Sequence, residues 1–246
     1  MEYTAKTILI TGAARGIGRA CAVRFAQEGF RLLLNTRTST PQLAALQEEL
    51  SSRFGALCRI STGDVGKERY VAELFRELDS LGGHLDVLVN NAGISLVGLL
   101  QDMSMEEWNR IVSSNLSSVF LCCRSAVPLF LRQGHGSIVN VSSVWGSEGA
   151  SCETAYSATK GGINAFTKAL GKELAPSGIR VNAAAFGAID TEMNSHLTAE
   201  DRRALEEEIP AGRYGTAEEA AELIYDLAVH HSYLTGQIVT MDGGWT

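Results

Sequence analysis

The 246-residue sequence lacks the groupings that would hold a metal, a disulfide framework or a nucleic acid. Its five cysteines, Cys21, Cys58, Cys122, Cys123 and Cys152, are an odd number without a CxxC pair, which fits reduced thiols rather than cross-links. The five histidines show no HExxH or comparable ligand spacing, so no metal is expected. With 21 Lys and Arg against 28 Asp and Glu the net charge is -7, and no basic cluster is interleaved with aromatics, so nucleic acid is not an expected partner. No apolar run approaches the ~20 residues that span a bilayer, and MEYTAK runs into a strand-like ILI without a basic leader; neither membrane nor export is expected, and the chain is placed in the cytoplasm. No segment has the polar bias of a disordered tail: 45% of residues are hydrophobic and 20% charged, enough for one compact α/β domain spanning 1–246.

What is present begins with KTILITG, a short apolar run ending at glycine, followed by the helical pattern AARGIGRACAVRFAQEGF. Between strand and helix, Gly12, Gly16 and Gly18 have the work of a tight bend, a close backbone approach to a diphosphate and close helix-to-sheet packing. The strand RLLLNTR ends about 20 residues further on, where a site for NAD carries an acid for the ribose hydroxyls. Here stand Asn35, Thr36 and Arg37. The missing acid, with Arg15 in the glycine loop and Arg37 beyond the strand, predicts a site for the 2′-phosphate of NADPH.

Strand and helix then alternate. PQLAALQEELSSRF reads as a helix and ALCRIS as a strand ending at GDV, where Asp64 is either an acceptor for an adenine amino group or a loop cap before the next helix. LDVLVNNAG is apolar without alternation, as in a parallel strand covered on both faces. MEEWNRIVSSNLSSVFLCCRSAVPLFLRQ reads as one long helix with Asn115 in its middle, where a polar side chain needs partners. GSIVNVSS, GIRVNAAAFG and TGQIVTMDGGWT complete seven strands, predicting a doubly wound parallel sheet. The polar excursion from about 190 to 214, long for a strand-to-helix connection, reads as a lid over a strand-end site.

Ser143 ends the fifth strand, and Tyr156 and Lys160 lie four apart on the helix AYSATKGGINAFTKALGKEL, one turn apart on one face. A lysine cation near a phenol favours the phenolate and eases proton transfer. Together these residues read as a general acid/base site at the end of a sheet strand.

TGxxxGxG at Thr11, Gly12, Gly16 and Gly18, NNAG at Asn90 to Gly93, and the order Asn115, Ser143, Tyr156, Lys160 make the whole chain resemble the classical short-chain dehydrogenase/reductase family. The resemblance implies a Rossmann fold with strand order 3-2-1-4-5-6-7 and a homotetramer. It implies Tyr156 as proton donor to the substrate oxygen, Ser143 bonded to the same oxygen, Lys160 on the nicotinamide ribose, and Asn115 anchoring a water. Cofactor contacts carried over this way are Ile17, Asp64, Val65, Asn91, Ala92, Gly93, Gly187, Ile189 and Thr191, beside the glycines and arginines above. A pocket would take in Ser95, Trp145, Cys152, Phe186 and Met193; Trp145 and Cys152 equally suit simple loop packing. Phe186 stands where the family commonly has proline. Within the family TGAARGIGRA, NLSSVF and TGQIVTMDGG look like the 3-oxoacyl-[acyl-carrier-protein] reductases, whose partner is acyl carrier protein. The loops SSVWGSEGASCETAYSATKGG and EEIPAGRYG look more like the elongation factor P 5-aminopentanone reductases, which act on a modified lysine of a translation factor. Basic positions that often help the acyl-carrier reductases dock their partner are here Gly134 and Ser177. Glu148 and Glu153 either attract a cationic substrate or are solvated loop charges. A non-catalytic NADP(H)-binding regulator on the same fold is the reading from another class.

Overall fold

A computed structural model of the chain describes residues 5–194 and 197–246. The first half alternates strictly: β1 (Thr7–Ile10), α1 (Gly16–Gln27), β2 (Arg31–Thr36), α2 (Thr40–Phe54), β3 (Cys58–Thr62), α3 (Glu68–Arg76) and β4 (Val87–Asn90). The second half has α4 (Met105–Val112), α5 (Ser118–Gln133), β5 (Gly136–Ser143), α6 (Thr154–Leu174), β6 (Ile179–Phe186), α7 (Ala199–Glu208), α8 (Ala217–Val229) and β7 (Ile238–Met241). All seven strands are parallel in one sheet of order β3-β2-β1-β4-β5-β6-β7, as expected from the sequence.

The strands are apolar at consecutive positions because helices cover both faces. Ile8, Ile10, Leu32, Leu34, Val87 and Val89 pack with Cys21 and Phe25 of α1, Leu43 of α2 and Ile224 of α8. The intervening Leu9, Leu33 and Leu88 pack the other way, with Leu74 of α3, Phe130 of α5 and Ile163 of α6. A strand with period-two side chains needs two cores if neither set is polar, and here it has them. Among the buried polar groups, Asn90 donates to the Asn140 side chain (2.9 Å), and Asn140 donates to Thr167 of α6 (2.9 Å). Cys21, Cys58, Cys122 and Cys123 are unpaired and buried; burial raises the Cys58 and Cys123 thiols to about 12 and the other two further, so they stay protonated and inert.

One expectation is corrected. The single helix expected over MEEWNRIVSSNLSSVFLCCRSAVPLFLRQ is interrupted by a π turn at Ser113–Ser117, the turn that carries Asn115. A wider turn at that point lets a mid-helix polar side chain find partners off the helix. The 29-residue helical run Met105–Gln133 is also long and apolar enough to cross a membrane by length and composition, with mean hydropathy 1.3 over its best 18-residue window. Its inward residues Val119, Leu121, Cys122, Ala126 and Phe130 are buried in the sheet core, which accounts for that hydropathy.

The turn after β1 has no spare volume. Gly12 has φ +67°, and a Cβ there would lie 2.9 Å from Ala92 Cα; a Cβ on Gly18 would collide with the Gly12 carbonyl and lie 2.6 Å from Asn91 Nδ2. Gly18→Ala is therefore expected to destabilise the protein by about 1–3 kcal/mol. Gly98→Ala, where a Cβ meets nothing within 4 Å, is expected to stay within about 0.5 kcal/mol. Denaturant melts of both variants check the contrast.

Candidate active site

Three parallel strands deliver the site at their carboxyl ends: β1 through the glycine turn, β4 through Asn91 to Gly93, and β5 through Ser143. Thr11 joins the first two. Its Oγ1 accepts from the Asn91 and Ala92 amides, both at 3.0 Å, while Asn91 Nδ2 donates to the Thr11 and Gly12 carbonyls, also at 3.0 Å. The Asn91 side chain is thus spent on shaping the turn, and Ala92 and Gly93 follow it along the site.

At the start of α1, Arg15 takes an extended conformation, makes no side-chain cap and is followed by no acidic residue in the first turn. Helices α4, α7 and α8 begin with complete capping boxes, Ser104 with Glu107, Thr198 with Asp201 and Thr216 with Glu219, whereas α2, α3 and α6 share the uncapped start of α1. The first amides of α1 are left for an anion at the positive end of the helix. Ile17 packs inward against the core, and Thr191 covers Gly16 from the lid side, its Cγ2 3.2 Å from where a Gly16 Cβ would be. A cavity of about 460 Å³ continues from this turn between Arg15, Ser39, Gln42 and Glu192. Arg15 and Arg37 are exposed, and among the described residues neither is in an ion pair. Asn35 is not available to a ligand: its buried amide donates to Tyr70 Oη (2.9 Å) and the Gly63 carbonyl (3.1 Å).

At the end of β3, Asp64 is not the cap of α3, whose first flanking residue is Lys67. Its Oδ1 instead accepts from Gly66 N at 2.8 Å, a local turn that holds the loop while Val65 is buried in the core. At the end of β6, Ile189 is 6% exposed and bridges to Gly215, and Gly187 has its missing Cβ pressed on Asp242.

Ser143, Tyr156 and Lys160 come together as the spacing predicts. Ser143 Oγ accepts from Trp145 N at 3.2 Å, which leaves the hydroxyl proton free to donate. Lys160 is 4% exposed and its Nζ donates to the Val141 carbonyl at 2.8 Å. That Nζ lies 5.5 Å from the centre of the Tyr156 ring. Asn115 is 1% exposed; its Oδ1 accepts from Ile94 N (2.8 Å), and its Nδ2 donates to the Ile94 carbonyl (2.9 Å) and Thr159 Oγ1 (3.2 Å). A Cβ on Gly93 would lie 3.4 Å from Asn115 Oδ1 and 3.8 Å from Lys160 Nζ, so the loop after β4 passes between them.

The electrostatics differ from the sequence expectation. Burial pushes the Tyr156 phenol up to about 12; the Ser143 hydroxyl acts against this and the Glu153 carboxylate adds to it. Burial also lowers the Lys160 ammonium to about 8. Desolvation is the largest cause of both shifts, because both groups leave water when α6 packs against β5.

The expected pocket residues divide. Ser95 Oγ donates to Glu153 Oε2 at 2.6 Å, and Cys152, in a left-handed conformation (φ 63°), accepts from Gly98 N at 2.8 Å through its carbonyl. These two bonds clasp the loop after β4 to the loop before α6. Trp145 is half-buried against Trp245, with ring centres 4.9 Å apart at 65°. Trp245 went unnoticed in the sequence because nothing local marks it; its partner lies 100 residues earlier. Met193 is exposed at 47% in a short 3₁₀ turn, Glu192–Asn194. Phe186 is corrected: it is 3% exposed inside the cluster of Ala184, Ile189 and Ile224, so its ring fills the core rather than a pocket. The excursion expected as a lid is pinned by Arg202 to Asp190 (2.8 Å) and by Asn194 Nδ2 to the Ile189 carbonyl (2.8 Å), while no residue of α7 is buried. Ser195 and His196, within the expected lid, lie outside the described residues.

Comparison with known proteins gives a consistent assignment. The family described as enoyl-(acyl carrier protein) reductase matches residues 12–246. The chain is 40% identical over 241 residues to the uncharacterized oxidoreductase YmfI of Bacillus subtilis, covering 98% of both. It is 38% identical over 245 residues to the 3-oxoacyl-[acyl-carrier-protein] reductase FabG of Aquifex aeolicus, covering 99% of this chain and 98% of the relative. A solved structure, a provisionally named gluconate dehydrogenase from Agrobacterium tumefaciens, superposes with a TM-score of 0.92 at 33% identity, covering 98% of this chain and 95% of that one. With its parallel sheet, its glycine turn and its Ser143, Tyr156 and Lys160 at one strand end, the chain belongs to the short-chain dehydrogenase/reductase family and is an oxidoreductase acting on carbonyl or CH-OH groups with a nicotinamide cofactor.

Proposed function

We propose that the chain is an NADPH-dependent carbonyl reductase that turns a ketone into a secondary alcohol, with a 3-oxoacyl thioester on acyl carrier protein as substrate and carrier. The observation that carries the reading is the convergence of a phenol, a hydroxyl and a buried ammonium beside a glycine turn whose helix amides are uncapped. We propose further that it works in the cytoplasm as a homotetramer.

The cofactor fits the residues present. The uncapped start of α1, with Gly12, Arg15, Gly16, Ile17 and Gly18, would hold the diphosphate, and Asp64 and Val65 the adenine. Asn91 to Gly93, Gly187, Ile189 and Thr191 would line the nicotinamide half. Two exposed guanidiniums in no ion pair among the described residues, with Asn35 tied up in the loop after β3, favour a 2′-phosphate over free ribose hydroxyls. Bound there, the cofactor supplies the hydride for the carbonyl carbon.

The chain's own groups handle the proton. Tyr156, held neutral by burial, carries its proton at neutral pH and gives it to the carbonyl oxygen as that oxygen gains charge. Ser143, its oxygen already accepting from Trp145 N, donates to the same oxygen. Lys160 has three donors and spends one on Val141, leaving two for the ribose and for stabilising the developing tyrosinate. Asn115 locks the Ile94 backbone, and we propose that it anchors a water linking Lys160 to solvent.

A second reading, a ketone borne on a modified lysine of elongation factor P, is favoured by the carboxylate of Glu153 at the clasp with Ser95. Where a basic patch would face acyl carrier protein, the chain has Gly134 and Ser177, which gives that partner no cation at those positions.

Two outcomes are expected. Acetoacetyl-CoA should drive NADPH oxidation at 340 nm, Tyr156→Phe should lower kcat at least about 100-fold, and Arg37→Ala should raise KM for NADPH but not for NADH. Loss of activity on every ketone, with NADPH binding intact by titration, leaves the regulator reading standing instead. The second outcome concerns stability. Lys160 is lowered from 10.5 to about 8, so between those values the unfolded chain holds a proton that the folded chain has released. Stability then rises with pH through that window. Tyr156, raised from 10.0 to about 12, opposes this only above about 10. Cofactor-free protein should therefore gain stability from pH 7.5 to 9.5 relative to Lys160→Met; equal responses would mean that the ammonium is not desolvated.

A further inference from the structure

Beyond β7 the chain turns on two consecutive glycines, Gly243 (φ +70°) and Gly244 (φ +85°), both in a conformation that other residues rarely adopt. The turn closes around one carboxylate. Asp242 Oδ1 accepts from Gly244 N, and its Oδ2 accepts from Thr246 N and Thr246 Oγ1, all at 2.9 Å. Burial acts to raise this carboxyl, but the donors of Thr246, Gly244 and Trp245 outweigh it and hold the group below its usual range. Asp242 is itself fixed at the sheet: the preceding Met241 carbonyl accepts from Gly187 N at 3.0 Å, and a Cβ on Gly187 would lie 2.7 Å from Asp242 Cβ. The Gly243 carbonyl accepts from Ala211 N at 3.1 Å, which ties the same turn to the end of the 190–214 excursion.

Trp245 stands between these anchors, its ring edge-to-face on Trp145, an arrangement that aromatic pairs prefer. Trp145 in turn is the residue whose amide donates to Ser143 Oγ. The other side of its short turn is fixed by Gly146, where a Cβ would lie 2.8 Å from the Lys160 carbonyl carbon. Trp145 is thus gripped between α6 and Trp245. A hydroxyl oxygen that accepts from a fixed amide has its own proton directed elsewhere, whereas one without that partner samples three rotamers.

We infer that Asp242 and Trp245 are positioning residues for the reaction at Ser143: the carboxylate holds the turn, the turn holds the Trp245 ring on Trp145, and the Trp145 amide keeps the Ser143 hydroxyl aimed at the ketone oxygen. Neither residue touches the reacting atoms. The inference rests on the ketone-reductase reading and adds that its hydroxyl donor depends on a segment beyond the last strand of the sheet.

The test uses the full chain with acetoacetyl-CoA and NADPH. Trp245→Ala is expected to lower kcat about tenfold, part of the loss that follows removal of a whole donor to a developing oxyanion. KM for the ketone and the dissociation constant of NADPH, measured by titration, should stay within about twofold. Trp245→Phe, which keeps an edge-to-face ring, should restore kcat to within about threefold of wild type. In a Ser143→Ala background, Trp245→Ala should cost less than about twofold, because the group it positions is gone. Asp242→Asn presents a donor where all the partners are donors; it should lower kcat as Trp245→Ala does and abolish the circular dichroism of the coupled indoles. A tenfold loss that persists in Ser143→Ala overturns the inference, as does a rise in ketone KM at unchanged kcat, which would make Trp245 a wall of the pocket. Retention of the indole signal in Asp242→Asn overturns the role of the carboxylate. If no turnover of wild type is lost in Tyr156→Phe, the ketone-reductase reading fails and takes the inference with it; Tyr156-dependent turnover with wild-type kcat in Trp245→Ala overturns the inference alone.

Discussion

A lysine ammonium taken out of water is the constraint around which the rest of this site is arranged. Lys160 reaches its place only because α6 lies tightly on β5. A Cβ on Gly146 would come within 2.8 Å of the Lys160 backbone, and Ser142 Oγ donates to Asn164 Oδ1 at 2.6 Å across the same contact. Packing that close excludes water from both the ammonium and the phenol, and both respond by favouring their neutral forms. The single carbonyl partner of Lys160 offsets part of the cost and leaves two donors directed by the same helix. Stability near this group is thus given up for a reactive arrangement, as is common where pKa values are strongly displaced.

The cofactor side is organised by a different economy, that of space. Three glycines and Thr11 bring two strand ends within hydrogen-bonding distance, so that Asn91 ties the turn from one side and the lid residue Thr191 covers it from the other. Side chains that satisfy a helix's own amides, as at the starts of α4, α7 and α8, would compete with a ligand for them, and none does so at α1. The sheet that carries both sides is buried on its two faces, which fixes the spacing between them.

The walls around Ser143, Tyr156 and Lys160 are set by contacts made outside the sheet. The clasp of Ser95 with Glu153 and the Trp145 and Trp245 pair join segments distant in the chain, while Arg202 ties the 190–214 excursion to its own start at Asp190. Relatives at 38–40% identity share the chain's length almost throughout, while such walls are free to differ, because few side chains make them and the sheet does not depend on them.

The sequence by itself determined the alternation of strands and helices, the glycine turn, and the Ser143, Tyr156 and Lys160 set, since each depends on local periodicity or on residues close in the chain, while the strand order came through the family resemblance. It also marked Asn115 as a polar residue in need of partners, though not the π turn that supplies them. Tertiary structure decided what depends on pairs far apart and on the water they displace. Phe186 faces the core because β6 is covered by α8; Asp64 closes a local turn rather than capping α3; Trp145 meets a residue at the other end of the chain. It also decided the sign of the tyrosine shift, because a charge four residues away is visible in sequence, whereas the loss of solvent around both groups exists only once the helix has packed.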